Sequence, residues 1–387
     1  MALVGVSFSQ VGYSQTPKSE EVATLRKQGQ TGLETFLQKN QNQLNSPKIR
    51  AALDTLCQQR DCYASKLYWY TDLEQAKEKA KATGKPILSL RLLGKLDQDL
   101  SCANSRFFRV ALYPNAEISK LLQDRYILHW QSVRPAPKVT IDFGDGRKLE
   151  RTVTGNSIHY ILDSSGRPID AIPGLYGPKA FLRQLQTSEV AVKEYSKLSP
   201  KLGEAFLRKY HSDRLNSLQS QLAVDLSKLG ISSSPRLGIS NNSTQPPSAT
   251  AAGSIAISKM RVENPLLNKN AEVSDEATWN RIAQLYINDA KLDNNSISLI
   301  KAKKSPSANP DELVRNFEAA MALDTVRNEY MLHRQLHQWF IQGSQTQNVN
   351  ALNERVYSQL FLTPNSDPWL GLSPNNSYSA IDNDGIR

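Results

Sequence analysis

Between Asp72 and Gln186 the sequence switches repeatedly between helical and strand patterning, and that alternation restricts this stretch to an α/β fold. Asp72 to Ala82 predicts a helix, with Thr71 at its N-cap and Gly84 just past its end. Pro86 to Leu92 predicts a buried strand, Arg106 to Leu112 and Ala116 to Gln123 predict helices, and Tyr126 to Val133 predicts a second strand. Val139 to Phe143 and Lys148 to Val153 flank Gly144-Asp145-Gly146, a hairpin signal. Ile158 to Leu162 and Pro168 to Ile172 predict another hairpin around Asp163-Ser164-Ser165-Gly166, and a helix from Pro178 to Gln186 closes the unit. The order helix, strand, helix, strand, hairpin, helix is one in which helices cover a sheet.

A chain of 387 residues suits two or three domains rather than one small core. Residues 1–20 are polar and expected to be disordered. Residues 21–64 form a helical lead-in, read as two short helices from Val22, Leu25, Leu33, Phe36 and Leu37 and then Ile49, Leu53 and Leu56. The α/β domain is placed at 65–190 and a charged helical extension at 191–229. A linker follows at 230–268, where Ser232 to Gly253 is rich in Ser, Asn, Pro and Thr. A mainly helical C-terminal region occupies 269–387, with helical periodicity over 273–291, 310–342 and 349–360, and can pack back on the centre. Phe361-Leu362-Thr363-Pro364 and Asp367-Pro368-Trp369-Leu370 form an apolar stop, expected to dock into a groove of the same chain; a partner-binding motif is the sharper reading.

The net charge of +10 is spread thinly. Its densest run is Lys301-Ala302-Lys303-Lys304, and no nucleic-acid-binding signature accompanies it, so a solvated basic surface is expected and nucleic acid is not. No apolar run is long enough to span a bilayer. The chain as written reads as cytoplasmic; if Met1 to Phe8 is the remainder of a signal peptide, it is exported. Neither a nucleotide-binding glycine motif nor a serine-hydrolase elbow occurs, and no cofactor is expected.

The phrase Tyr68-Trp69-Tyr70-Thr71-Asp72-Leu73, a helix, then Gly84-Lys85-Pro86-Ile87-Leu88-Ser89-Leu90 resembles the opening of thioredoxin-like domains. Ile158 to Leu162, the Ser165-Gly166 turn, Pro168 to Ile172, Gly174 and the helix from Pro178 resemble that family's closing hairpin and last helix. From Leu67 to Pro173, with SCANSRFF, LHWQSVRP and TGNSIHYILD, the chain is similar to bacterial thioredoxin-like proteins that have no established activity. The resemblance places Cys102 where a redox pair would stand. Three departures accompany it: Ser105 replaces the second cysteine, the gap from Pro86 to Cys102 is longer than usual, and Gly155, Asn156 and Ser157 stand where a cis-proline would fall. Together they point away from dithiol oxidoreductase activity.

Cys102, Ser105 and Arg106 are the candidate catalytic residues. A thiolate at a helix start is stabilised by the helix dipole and free N–H groups, and Arg106 and Arg109 add positive potential. Its chemistry would be monothiol, a mixed disulfide or a sulfenic acid. The plainer reading is a buried inert cysteine with Ser101 or Ser105 as N-cap. Cys57 and Cys62 match neither a redox nor a zinc spacing. They can bridge only if the helix breaks near Arg60-Asp61; a structural disulfide is one expectation if the chain is exported, two reduced thiols are expected in the cytoplasm, and either cysteine could also resolve Cys102. Glu329, His333 and His337 recur at four-residue steps, so a metal could be shared along one helical face. Arg334 and the lack of an evident fourth ligand favour polar packing, and no metal is expected. His129 and His159 lie in strands and read as core or edge residues. The function expected is a non-catalytic scaffold or interaction module; the alternative is a monothiol redox protein or thiol/peroxide sensor acting through Cys102. The partner would be another protein or a thiol substrate.

Overall fold

The computed structural model describes residues 17, 19–152, 155–232, 234–235, 273–304, 308–343, 345–361 and 363. Most of the start expected to be disordered, most of the linker and the tail with its Trp369 dock lie outside the described residues; Ser19 and Glu20, at the end of that start, are instead helical.

The chain is mixed α/β, with a four-stranded sheet at its centre. Strand β1 (Ile87–Leu93) pairs in parallel with β2 (Ile127–Arg134) on one side and antiparallel with β5 (Ser157–Leu162) on the other. Strand β6 (Pro168–Pro173) pairs antiparallel with β5, so the order is β2-β1-β5-β6. Every residue of β1, β5 and β6 is buried, which is what strands covered on both faces show. Strands β3 (Lys138–Asp142) and β4 (Lys148–Thr152) form a separate two-stranded ribbon. Its turn is made by Gly144 and Gly146 at φ 76° and 90°, a region costly for side-chain-bearing residues.

Before β1 stands α5 (Leu73–Thr83), which packs on β1 and β2. Its N-cap is Asp72 rather than the expected Thr71. The Asp72 carboxylate accepts from the N–H groups of Glu74 (2.8 Å) and Gln75 (3.1 Å), adding charge to the cap. Helix α6 (Ala103–Phe107) runs on into a π-helical turn (Phe108–Leu112), starting three residues before the expected Arg106. Helix α7 (Ala116–Arg125) packs on β2, and α8 (Pro178–Tyr195) on β5 and β6. The helical extension expected at 191–229 is shared between two helices, the end of α8 and a further helix. Backbone at Ser199 is extended, and Pro200 opens α9 (Pro200–Lys228), because a residue before proline avoids helical conformation.

The lead-in holds three helices rather than two: α1 (Ser19–Lys27), α2 (Gln30–Lys39) and α3 (Pro47–Cys57), followed by the short α4 (Cys62–Ser65). Their apolar faces enclose a small core of their own around Leu33, Phe36, Ile49, Leu53 and Leu56. The helix break that a Cys57–Cys62 bridge requires is present. Gln58 and Asp61 take left-handed backbone, Asp54 accepts the Cys62 N–H at 2.9 Å, and the two cysteines form a disulfide with a Cα–Cα distance of 6.2 Å. Closing so short a loop stabilises by about 2 kcal/mol. Reduction with dithiothreitol is therefore expected to lower the melting temperature by a few degrees, read by differential scanning calorimetry. An unchanged melting curve would sink this assignment.

After the linker come α10 (Val273–Leu285), α11 (Asn294–Lys303) and α12 (Pro310–Arg327). Helix α12 continues through a π-helical turn (Asn328–His333) into α13 (Arg334–Gln342). Last comes α14 (Val349–Arg355), with a π-helical turn over Val356–Leu360. These helices do not stand apart: one continuous apolar core runs from Leu67 through the sheet to Phe361. Helix α9 packs along α13, and α10 along α12. No helix among the described residues is long and apolar enough to cross a membrane.

Candidate functional site

Cys102 sits where β1 hands over to α6. Its N–H donates to the Leu93 carbonyl (3.0 Å), which closes the intervening loop back on the strand end. Cys102 itself occupies the N-cap position of α6, in place of the expected Ser101 or Ser105, and no side chain caps the helix. The Ser105 hydroxyl instead donates to the Cys102 carbonyl (2.9 Å) and lies 2.6 Å from Ser101 Oγ. Arg106 donates to Thr152 Oγ1 (3.0 Å), and Arg109 donates to Ser101 Oγ (3.3 Å). Burial lowers the pKa of both guanidinium groups, and both interact electrostatically with the thiol. The sequence-predicted trio is thus together, but Cys102 is 0% exposed.

The far end of the chain packs on the same core that buries Cys102. The segment from α14 to Thr363 forms a strap across the sheet, held by hydrogen bonds to four sites. Asn350 Oδ1 accepts from Arg91 (3.3 Å), and Asn353 Oδ1 from Tyr160 (3.3 Å). The Tyr357 hydroxyl donates to the Asn156 carbonyl (3.2 Å), and the Thr363 carbonyl accepts from Arg134 (2.5 Å). Tyr357 is fully buried and close enough to Cys102 for the two groups to interact electrostatically. Phe361 and Thr363, the described part of the apolar stop, are buried against the same chain.

A second constellation lies between β6 and the C-terminal helices. Asp170, in the middle of β6, is 1% exposed, and four groups converge on it. Its Oδ1 accepts from the Ala171 N–H (2.8 Å), and its Oδ2 from Ser188 (2.9 Å) and Tyr210 (2.6 Å). His333 Nε2 stands 3.4 Å from Asp170 Oδ1, while its Nδ1 stands 3.4 Å from Glu329 Oε2. Burial alone would lower the pKa of His333, but the carboxylates at both ends outweigh it and hold the ring up to about 9. Burial would raise Asp170, but His333 keeps it well below the usual carboxylate range; Glu329 is lowered by His333 and Arg214 in the same way. Two carboxylates facing an imidazolium and the Arg214 guanidinium balance in charge, which is how buried ions are tolerated.

The His337 ring lies 4.2 Å from the His333 ring, tilted by 32°, and its Nδ1 is 2.9 Å from His211 Nδ1. His211 Nε2 faces the Ile169 carbonyl at 3.1 Å and must therefore donate. Burial pushes the His211 pKa down to about 4, so the ring is neutral and its Nδ1 accepts. His337 then donates through Nδ1, and its Nε2 carries a lone pair. That atom is buried without a hydrogen-bond partner. Beside the cluster opens a pocket of about 320 Å³, lined among others by Arg183, Gln184, Arg214, Glu329 and Tyr330.

Sequence spacing brought Glu329, His333 and His337 together, and the structure keeps them adjacent. It adds Asp170 and His211, which reasoning from sequence missed. They lie 163 and 126 residues from their histidine partners. One local signal was available: an aspartate in the middle of the otherwise apolar Pro168-Ile169-Asp170-Ala171-Ile172 needs a buried partner. His129 and His159 are core residues, bonded to Ser89 and Tyr113 at 2.8 Å, and burial pushes both down to about 3. No family model, curated protein or solved structure matches the chain.

Proposed function

We propose that this chain is a non-catalytic scaffold built on a thioredoxin-like domain, with its thiol sealed beneath the C-terminal strap. Support for the domain comes from the strand order β2-β1-β5-β6, with β1 and β2 parallel, a cysteine at the β1-to-helix junction, and a closing hairpin followed by a helix. The observation that carries the scaffold reading is the complete burial of Cys102. A thiol must reach its partner's sulfur or a peroxide to react, and a buried structural cysteine is inert.

Alkylation of the full chain by iodoacetamide tests this. Cys102 is expected to react only after denaturation, with the modified residue located by peptide mass mapping. Rapid reaction of the folded protein, with a pH midpoint well below the free-thiol value of about 8.5, would overturn the proposal. That outcome would instead favour monothiol redox chemistry driven by Arg106 and Arg109.

A further inference from the structure

We propose that Asp170, His333 and His337 form a binding site for a divalent transition metal ion of the zinc class. One ligand atom from each of the three lies within 4.8 Å of the other two, and all three residues are buried. Two ligands each about 2.0–2.1 Å from a tetrahedral zinc ion stand about 3.4 Å apart. His333 Nε2 and Asp170 Oδ1 stand 3.4 Å apart, long for a hydrogen bond and fitting for two donors sharing an ion. Two imidazoles and one carboxylate are a donor set that suits zinc and cobalt rather than calcium or magnesium.

The outer shell agrees with this assignment. A ligating histidine commonly donates its other N–H to a carboxylate or other acceptor, which fixes ring and tautomer. Glu329 does this for His333 Nδ1, and His211 does it for His337 Nδ1, itself oriented by the Ile169 carbonyl. Both rings are thereby left with Nε2 as the ligand atom, and His337 Nε2 is a buried polar atom that no hydrogen bond accounts for. Ser188, Tyr210 and the Ala171 N–H orient Asp170. Replacing the His333 proton by a divalent ion adds one positive charge to the cluster, which a hydroxide in the fourth position would neutralise. The pocket beside the cluster reaches Glu329, the partner of His333 Nδ1.

The test is a titration of the full chain, stripped with a chelator, with cobalt(II) followed by zinc(II). One equivalent of cobalt is expected to give the intense visible absorption of a tetrahedral ion, and zinc to abolish it. All five histidines of the chain are buried, so surface histidines cannot produce the signal. His333→Gln and His337→Gln should lose stoichiometric binding, whereas His211→Gln should weaken it by about 10- to 100-fold. Circular dichroism melts identify any variant that fails to fold, and the wild-type titration decides the question without them. A cobalt spectrum unchanged from the free ion, or a signal unaffected in folded His337→Gln, would overturn the site.

Discussion

Asp170→Asn is expected to destabilise the chain by about 3–5 kcal/mol, the cost of removing one partner from a buried ion pair. The substitution keeps the shape of the side chain but turns an N–H donor toward groups that are themselves donors. Ser188, Tyr210 and the Ala171 N–H all bond to the Asp170 oxygens, and an amide group cannot satisfy them together with His333. The variant should also change how stability depends on pH. His333 is raised from 6.5 to about 9 in the folded chain, by Asp170 and Glu329 acting against burial. A raised folded pKa gives stability that is complete below 6.5 and is lost as pH climbs through 9. Urea denaturation of wild type, with chelator present, should therefore show falling stability across that window, and Asp170→Asn should flatten the slope. Parallel pH profiles for the two proteins would sink the ion-pair account.

Tyr357→Ala is expected to release the strap and uncover Cys102. Truncating a fully buried aromatic side chain costs about 3–5 kcal/mol, part of it from the cavity left behind. If the strap opens as a local unit, that cost raises the open population by two to three orders of magnitude, at about 1.4 kcal/mol per tenfold. The alkylation rate of Cys102 should rise by a similar factor while the far-ultraviolet circular dichroism hardly changes. Tyr357→Phe removes only the hydroxyl bond to the Asn156 carbonyl, worth about 1 kcal/mol, and should move the rate little. Global destabilisation of Tyr357→Ala with no gain in Cys102 reactivity would mean that other parts of the fold bury the thiol.

The local rules were readable where neighbours in sequence are neighbours in space. The run from Asp72 to Leu92 announced α5, its glycine stop at Gly84 (φ 70°) and a buried strand, and all three are present. The error at its cap was a choice between two adjacent polar residues, Thr71 and Asp72, that only backbone geometry could settle. The C-terminal histidines were visible as a four-residue repeat, although a π-helical turn over Asn328–His333 alters the pitch on which such a repeat is read. What completes that cluster was not visible, because Asp170 and His211 arrive from β6 and α9 through tertiary packing alone. The strap escaped for the same reason: nothing near Asn350 or Tyr357 says which strands they will touch.

Arg91 and Asn350, which the strap brings into contact, are 259 residues apart. At a synthesis rate of about 5–20 residues per second, that interval lasts about 13–50 s. For that time Cys102 lacks whatever cover the strap supplies. Cys57 and Cys62, only 5 apart and earlier in the chain, can find each other before Cys102 is made. Where an oxidant takes up the two electrons, order of emergence lets the Cys57 and Cys62 sulfurs pair with each other, and the strap is among the last pieces to arrive.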